Sequence, residues 1–227
     1  MRSMGSATID ELTLADDPGV WEALGFLLEG DTCRLGGVRV RLAGKDSGGR
    51  GILSWSLRGI ESPELDGLPT AISGSAEAPS APGDAHPNGV LGIDHVVAMS
   101  PAFERSVAAL QAAALDLRRV REEPTPAGAP RQAFFRLGGE ILELVQEPAE
   151  IVVRDGGPER PARFWGLALL SKDLDRTVAA MGEHVSEIRP AVQPGRRIAT
   201  VKRSAGLSVP VALMSRRDEE RTEEKSS

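Results

Sequence analysis

Gly92-Ile-Asp-His-Val-Val-Ala-Met-Ser100 runs into Ser100-Pro-Ala-Phe-Glu-Arg-Ser-Val-Ala-Ala-Leu110, and this second segment lies without a gap over Ser171-Lys-Asp-Leu-Asp-Arg-Thr-Val-Ala-Ala-Met181. Phe103, Val107 and Leu110 match Leu174, Val178 and Met181, an i, i+4, i+7 spacing that draws one apolar stripe along a helix. Ser100 and Ser171 stand where an N-cap would. A helix with a single apolar stripe needs a sheet to cover. The flanking segments supply it, because Pro130-Arg-Gln-Ala-Phe-Phe-Arg136 falls over Arg196-Arg-Ile-Ala-Thr-Val-Lys202 and pairs Arg131 with Arg197.

A fainter copy opens the chain. Ile9-Asp-Glu-Leu-Thr-Leu-Ala-Asp16 is similar to Ile93-Asp-His-Val-Val-Ala-Met-Ser100, and Gly51-Ile-Leu-Ser-Trp55 to Glu140-Ile-Leu-Glu-Leu144. A period of roughly 50 to 75 residues exceeds that of most solenoids, so each copy is expected to be a strand-helix-strands module. Gly36-Gly37 and Gly138-Gly139 mark hairpins within modules. The copies divide the chain into a module at 7–60, a Pro/Ser/Gly-rich connector at 61–89 expected to be flexible, a second module at 90–149, a third at 161–215 and a charged tail at 216–227 expected to be mobile.

The net charge of -6 and pI near 5.3, with arginines scattered among acids, argue against nucleic acid as a partner. No apolar run approaches the roughly 18 to 20 residues that cross a bilayer, and Met1-Arg-Ser-Met-Gly-Ser has no apolar leader, so a cytoplasmic protein without membrane contact is expected. Cys33 is the single cysteine, which rules out an intrachain disulfide and a zinc-thiolate cluster. There is no nucleophile elbow, phosphate-binding Gly-Lys-Ser/Thr loop or HExxH.

Repeated strand-helix-strand-strand-strand units with a histidine in a first strand, Ile93-Asp-His-Val-Val, and a glutamate in a last strand, Ile141-Leu-Glu-Leu-Val145, resemble the glyoxalase / vicinal oxygen chelate superfamily. The resemblance implies an α+β fold in which βαβββ modules form a curved mixed sheet around a cavity, with helices outside. It further implies a divalent metal held by first and last strands, which chelates substrate oxygens as a Lewis acid. Members include lyases, isomerases, epimerases, dioxygenases and metal-free drug-sequestering proteins, and homodimers that share modules are common.

Carried over residue by residue, the metal positions are His95 and Glu143 in the second module and Glu11, with Ser54, in the first. Alternation places Ile93, His95 and Val97 on one face, and Ile141, Glu143 and Val145 on one face of their own. Glu11, His95 and Glu143 together would suit Mn, Fe, Ni or Zn. His95 and Glu143 alone would equally make a hydrogen-bonded pair without metal, and Glu11 a solvated strand residue. In the third module Gly166 takes the histidine position and Val209-Pro-Val-Ala-Leu-Met214 offers no carboxylate. The short connector between the second and third modules favours their pairing.

Arg131 and Arg197, equivalent in the repeat, are candidates to clamp an anionic group, and Gln132 and Phe134 to line a pocket. The Arg118-Arg119-Val-Arg121 cluster reads as a solvated strand face. With no tyrosine in the chain, the Tyr acid of ring-cleaving dioxygenase relatives is missing. Two readings follow: a divalent-metal-dependent lyase or isomerase of a small oxygenated substrate with Glu143 as general base, and a metal-free small-molecule binder of the sequestration type.

Overall fold

The computed structural model describes residues 6–74, 86–125 and 128–216. The first part carries β1 (Thr8–Leu14), α1 (Pro18–Ala23), β2 (Leu28–Glu29), β3 (Thr32–Leu35), β4 (Val38–Leu42), β5 (Ile52–Arg58) and β6 (Thr70–Ile72). The second carries β7 (Val90–Ser100), α2 (Phe103–Ala112), β8 (Asp116–Arg121), β9 (Gln132–Leu137), β10 (Glu140–Gln146) and α3 (Ala149–Arg154). The third carries β11 (Arg163–Ser171), α4 (Leu174–Met181), β12 (Arg189–Pro190), β13 (Arg197–Thr200) and β14 (Val211–Ser215).

Two mixed sheets result, and the helices lie against them in an α+β arrangement. One has six strands in the order β2-β3-β4-β1-β5-β6, and the other eight in the order β12-β13-β14-β11-β7-β10-β9-β8. The eight-stranded sheet joins the second and third modules through antiparallel β7 and β11, as the short connector favoured. In each module the first strand pairs in parallel with the last, β7 with β10 and β11 with β14. The helix crossing between them buries Phe103, Val107 and Leu110, or Leu174 and Met181, in a core shared by both sheets. Neither serine caps its helix. Asp173 caps α4 by accepting from the N–H groups of Asp175 and Arg176, and Ser100 is buried against Ser106.

The first sheet departs from the sequence reading in an informative way. The strand parallel to β1 is β4, not β5, so Gly51–Trp55 is not the last strand of the first module. Instead β5 runs antiparallel to β1 and parallel to β6, just as β11 runs antiparallel to β7 and parallel to β14. β5 and β6 therefore occupy the first and last strand places of a fourth module stripped of its helix and middle strands. The alignment missed this because β5 and β10 share only a short apolar pattern.

The connector is also more ordered than expected. Leu65 and Leu68 are buried, β6 pairs with β5, and His86 is buried with Nδ1 accepting from the Leu27 N–H at 3.0 Å and Nε2 donating to the Arg34 carbonyl at 2.9 Å. Its stretch at 75–85, and the tail at 217–227, lie outside the described residues. Cys33 is a buried strand residue whose thiol burial pushes up to about 12, so it is an unreactive packing group. No helix among the described residues is long and apolar enough to cross a membrane.

Candidate functional site

The first strands are not regular. Ala168 pairs with His95 and Leu169 with Ile93, so Asp94 is an extra residue in β7, a β-bulge. The bulge overturns the simple alternation: Ile93, Val96 and Ala98 enter the main core, while Val97 and Met99 pack with Val145 and Ala129 on the other side. Asp94 and His95 consequently come together, with His95 Nδ1 and Asp94 Oδ2 2.8 Å apart, which neighbours on a regular strand would not do.

This bulge is itself repeated. In β1 the extra residue is Asp10, followed by Glu11; in β5 it is Leu53, followed by Ser54; in β11 it is Trp165, followed by Gly166. Four first strands thus present Glu11, Ser54, His95 and Gly166 at one structural position. Ser54 is therefore a first-strand position rather than the counterpart of Glu143. Glu143 lies two residues beyond Ile141, the partner of His95; by the same count its counterparts are Arg41, two beyond the Arg39 that pairs with Glu11, and Ala212 in β14.

His95 sits between two carboxylates. Its Nε2 is 3.2 Å from Glu143 Oε2, and Glu143 Oε1 accepts from the Gln132 amide. On the far side Asp94 takes both ends of the Arg196 guanidinium, at 2.6 and 3.2 Å, and Arg196 Nε donates to the Ser215 carbonyl at 2.8 Å. Gln132–Glu143–His95–Asp94–Arg196 is a single polar chain across the junction of the two modules. Burial pulls the His95 pKa down, but the hydrogen bonds and charges of Asp94 and Glu143 outweigh it and raise the pKa from 6.5 to about 9. For Asp94, burial is likewise overcome by His95 and Arg196, and the pKa falls from 3.8 to about 2.

These shifts set a pH dependence. The stability that His95 contributes is complete below pH 6.5 and is lost as pH rises through about 9; that of Asp94 is complete above pH 3.8 and is lost as pH falls through about 2. Both are complete only between those inner limits. Urea unfolding should accordingly show stability falling from pH 6.5 to 9, and a His95→Gln variant should lose most of that slope.

The Gln132–Glu143–His95 end of this polar chain floors a cavity of about 1100 Å³ lined on the second module also by Phe134 and residues 119–123, and on the third by Ile198, Met214 and the loop Val192–Gly195. Gln132 is thus a wall residue as read. Arg119 is exposed, as the solvated-face reading has it, and Arg121 partly so; a bulge at Arg118 sets both at the cavity wall and leaves Leu117 and Val120 packed against the core. Neither repeat-equivalent arginine is in the cavity wall. Arg131 is paired with Glu104 and Glu122 and stacked 4.5 Å from the Phe103 ring, and Arg197 is paired with Asp175 at 2.6 Å. Arg196, one residue earlier, is the one that joins the polar chain, through Asp94.

Glu11 is in the other sheet, 3.3 Å from Arg39 and 3.7 Å from Arg41. Beside it Asp10 is buried and bound by Arg39, Arg58 and Ser73. Where the second module has His95 facing Glu143, the first has Glu11 facing Arg41, so its site is filled by its own ion pairs. The structure does not bring Glu11 to His95.

Solved structures share this architecture. A variant of 4-hydroxymandelate synthase from Streptomyces coelicolor superposes with a TM-score of 0.62 at 14% identity, over 94% of this chain and 92% of that one. The fold is that of the vicinal oxygen chelate superfamily. A fusion of a xylose isomerase-like TIM barrel with 4-hydroxyphenylpyruvate dioxygenase also has a TM-score of 0.62 at 14% identity, over 95% of this chain, which spans 50% of that protein. Methylmalonyl-CoA epimerase from Mycobacterium tuberculosis has a TM-score of 0.47 at 17% identity, over 61% of this chain and 97% of that one. No family model and no curated protein matches the sequence.

The vicinal oxygen chelate fold implies a divalent metal at the floor of the cup, and the donors here do not fit one. Catalytic ions generally take three protein ligands. His95 and Glu143 are two, and Gly166 and Ala212 at the matching places of the facing module are none. Among the described residues no group of three His, Cys, Asp or Glu side chains is placed to hold an ion.

Proposed function

We propose that the chain binds a small oxygenated organic molecule in the cup of its second and third modules without a divalent metal. One observation carries this reading: beside a cavity of about 1100 Å³, both ring nitrogens of His95 are taken by carboxylates, and the facing module offers no titratable side chain to the wall, only Gln193 among the apolar Val192, Pro194, Ile198 and Met214. A polar floor under an apolar wall orients a ligand by a few hydrogen bonds and holds it by burial. Glu143, on which a general-base role would fall, is engaged by His95 and Gln132. Its surroundings support anchoring rather than proton abstraction, and so favour a binder over a lyase or isomerase.

Metal content of the purified protein tests this directly. Elemental mass spectrometry should find well under one equivalent of Mn, Fe, Ni or Zn, and added metal should leave the melting temperature unchanged. An ion held at a hundred times its Kd would add about 2.7 kcal/mol, or roughly 5 to 11 °C in a protein of this size. Near-stoichiometric metal that disappears in both His95→Ala and Glu143→Ala would defeat the proposal and restore the metal-dependent lyase or isomerase.

A further inference from the structure

Charges in the cavity wall are mostly spoken for. Glu122 is held by Arg131, Arg121 is countered by Glu123 at 3.4 Å, and His95, Glu143, Asp94 and Arg196 neutralise one another along the floor. Arg119 is different. Among the described residues no carboxylate lies within ion-pair distance of it, and its guanidinium rests 4.9 Å from the centroid of the Phe134 ring. Stacking on an aromatic face fixes the direction of a guanidinium while leaving its N–H edge free for a planar anion.

A second group is also unsatisfied. Gln132 gives its NH2 to Glu143, and its Oε1 is buried without a hydrogen-bond partner. A buried acceptor left bare carries the uncompensated cost of its desolvation, so a ligand that supplies a donor there recovers that loss. The two groups lie on neighbouring strands of one surface. Phe134 and Gln132 are two residues apart on β9, and they pair with Arg119 and Arg121 of β8. One strand spacing and two residues of rise separate Arg119 from Gln132 by roughly 8 Å. Between the two groups lies apolar surface from Phe134, with Ile198, Met214 and Val192 opposite.

We infer that the molecule taken by this cavity is an organic anion with an apolar body, its carboxylate gripped by Arg119 over Phe134 and its inner end donating a hydrogen bond to Gln132. This rests on the binding reading proposed above and adds the chemical class of the ligand. The degenerate third module fits such a ligand, since a body held by burial needs an apolar wall and not a metal. Arg119 is then the specificity-determining residue.

The test is calorimetric titration of the full chain with 3-hydroxyphenylacetate and 8-hydroxyoctanoate, whose hydroxyl supplies the inner donor, each against its neutral amide. The acids should bind at least tenfold more tightly than the amides. Arg119→Gln should abolish that preference while leaving amide binding and the melting temperature unchanged, and Arg118→Gln, on the exposed side and paired with Asp116, should change nothing. Amides binding as tightly as acids, or a preference that survives in Arg119→Gln, would overturn the inference yet leave the binding reading standing. No binding by any of the four would overturn the inference, and stoichiometric metal in the protein would overturn the binding reading with it.

Discussion

Asp94→Ala is expected to cost about 3 to 5 kcal/mol, the loss typical when one partner of a buried ion pair is removed and the other stays charged. The stranded partner is Arg196, whose side chain is only 10% exposed and whose Nε is already tied to the Ser215 carbonyl. For a chain of this length that corresponds to a melting temperature lower by roughly 6 to 20 °C. The same change removes one of the two carboxylates that hold His95 protonated, so the imidazole pKa should fall from about 9 toward its ordinary value. Proton NMR titration of the His95 ring reads that shift separately from stability. Asp94→Asn is the companion variant: it keeps the shape of the side chain and loses the charge, and should reproduce the pKa drop with a smaller loss of stability. An unmoved His95 pKa in both variants would sink the account of the floor as one coupled chain.

The second large effect concerns the silent module. Gly166 stands at the position of His95, yet a Cβ there would lie 2.7 Å from the Pro210 carbonyl oxygen and 3.3 Å from the Pro210 Cβ. Pro210 cannot yield freely, because its carbonyl accepts from the Leu167 N–H at 2.9 Å and leads into β14. Gly166→Ala is therefore expected to destabilise the protein by about 1 to 3 kcal/mol through overpacking, seen as a lower urea midpoint with the slope unchanged. Gly166→His should cost at least as much and should not build a metal site, since its backbone must first be pried from β14. Stoichiometric zinc in Gly166→His at undiminished stability would show that the lost ligand is a recent accident rather than a consequence of how the strands now pack.

Residues legible from sequence were those whose role depends on their own strand or helix. The stripe Phe103, Val107, Leu110 and its copy Leu174, Val178, Met181 predicted two helices on a sheet, since helical period and apolar burial are local properties. His95, Glu143 and Gln132 were singled out as site residues, and the structure places all three in one cavity wall. Glu11 was singled out with equal reason and stands elsewhere, because alignment shows which positions are equivalent but not which modules share a sheet.

Arg196, Asp94 and Arg119 were missed for related physical reasons. Alternation along β7 was read as unbroken and the arginines of β8 as one solvated face, and a bulge has no signature in one strand alone, being defined by two residues facing one on a neighbour. The recurrence of Ile-Asp at Ile9-Asp10 and Ile93-Asp94, directly before each candidate position, was the one hint available. Arg131 and Arg197 drew attention by being paired in the repeat. Each found a carboxylate on its own side of the sheet, as strand-end arginines usually do.

By itself the sequence determined that one unit is copied along the chain, that its helices cover a sheet, and that the third copy has no metal donor to give. Those facts follow from side-chain type and spacing, which pairing cannot alter. Only the tertiary structure decided that the second and third modules form the cup, that a remnant fourth unit completes the first sheet, and that Asp94 turns to join His95. Each depends on hydrogen-bond register between strands distant in the chain, where one extra residue moves every following side chain to the other face.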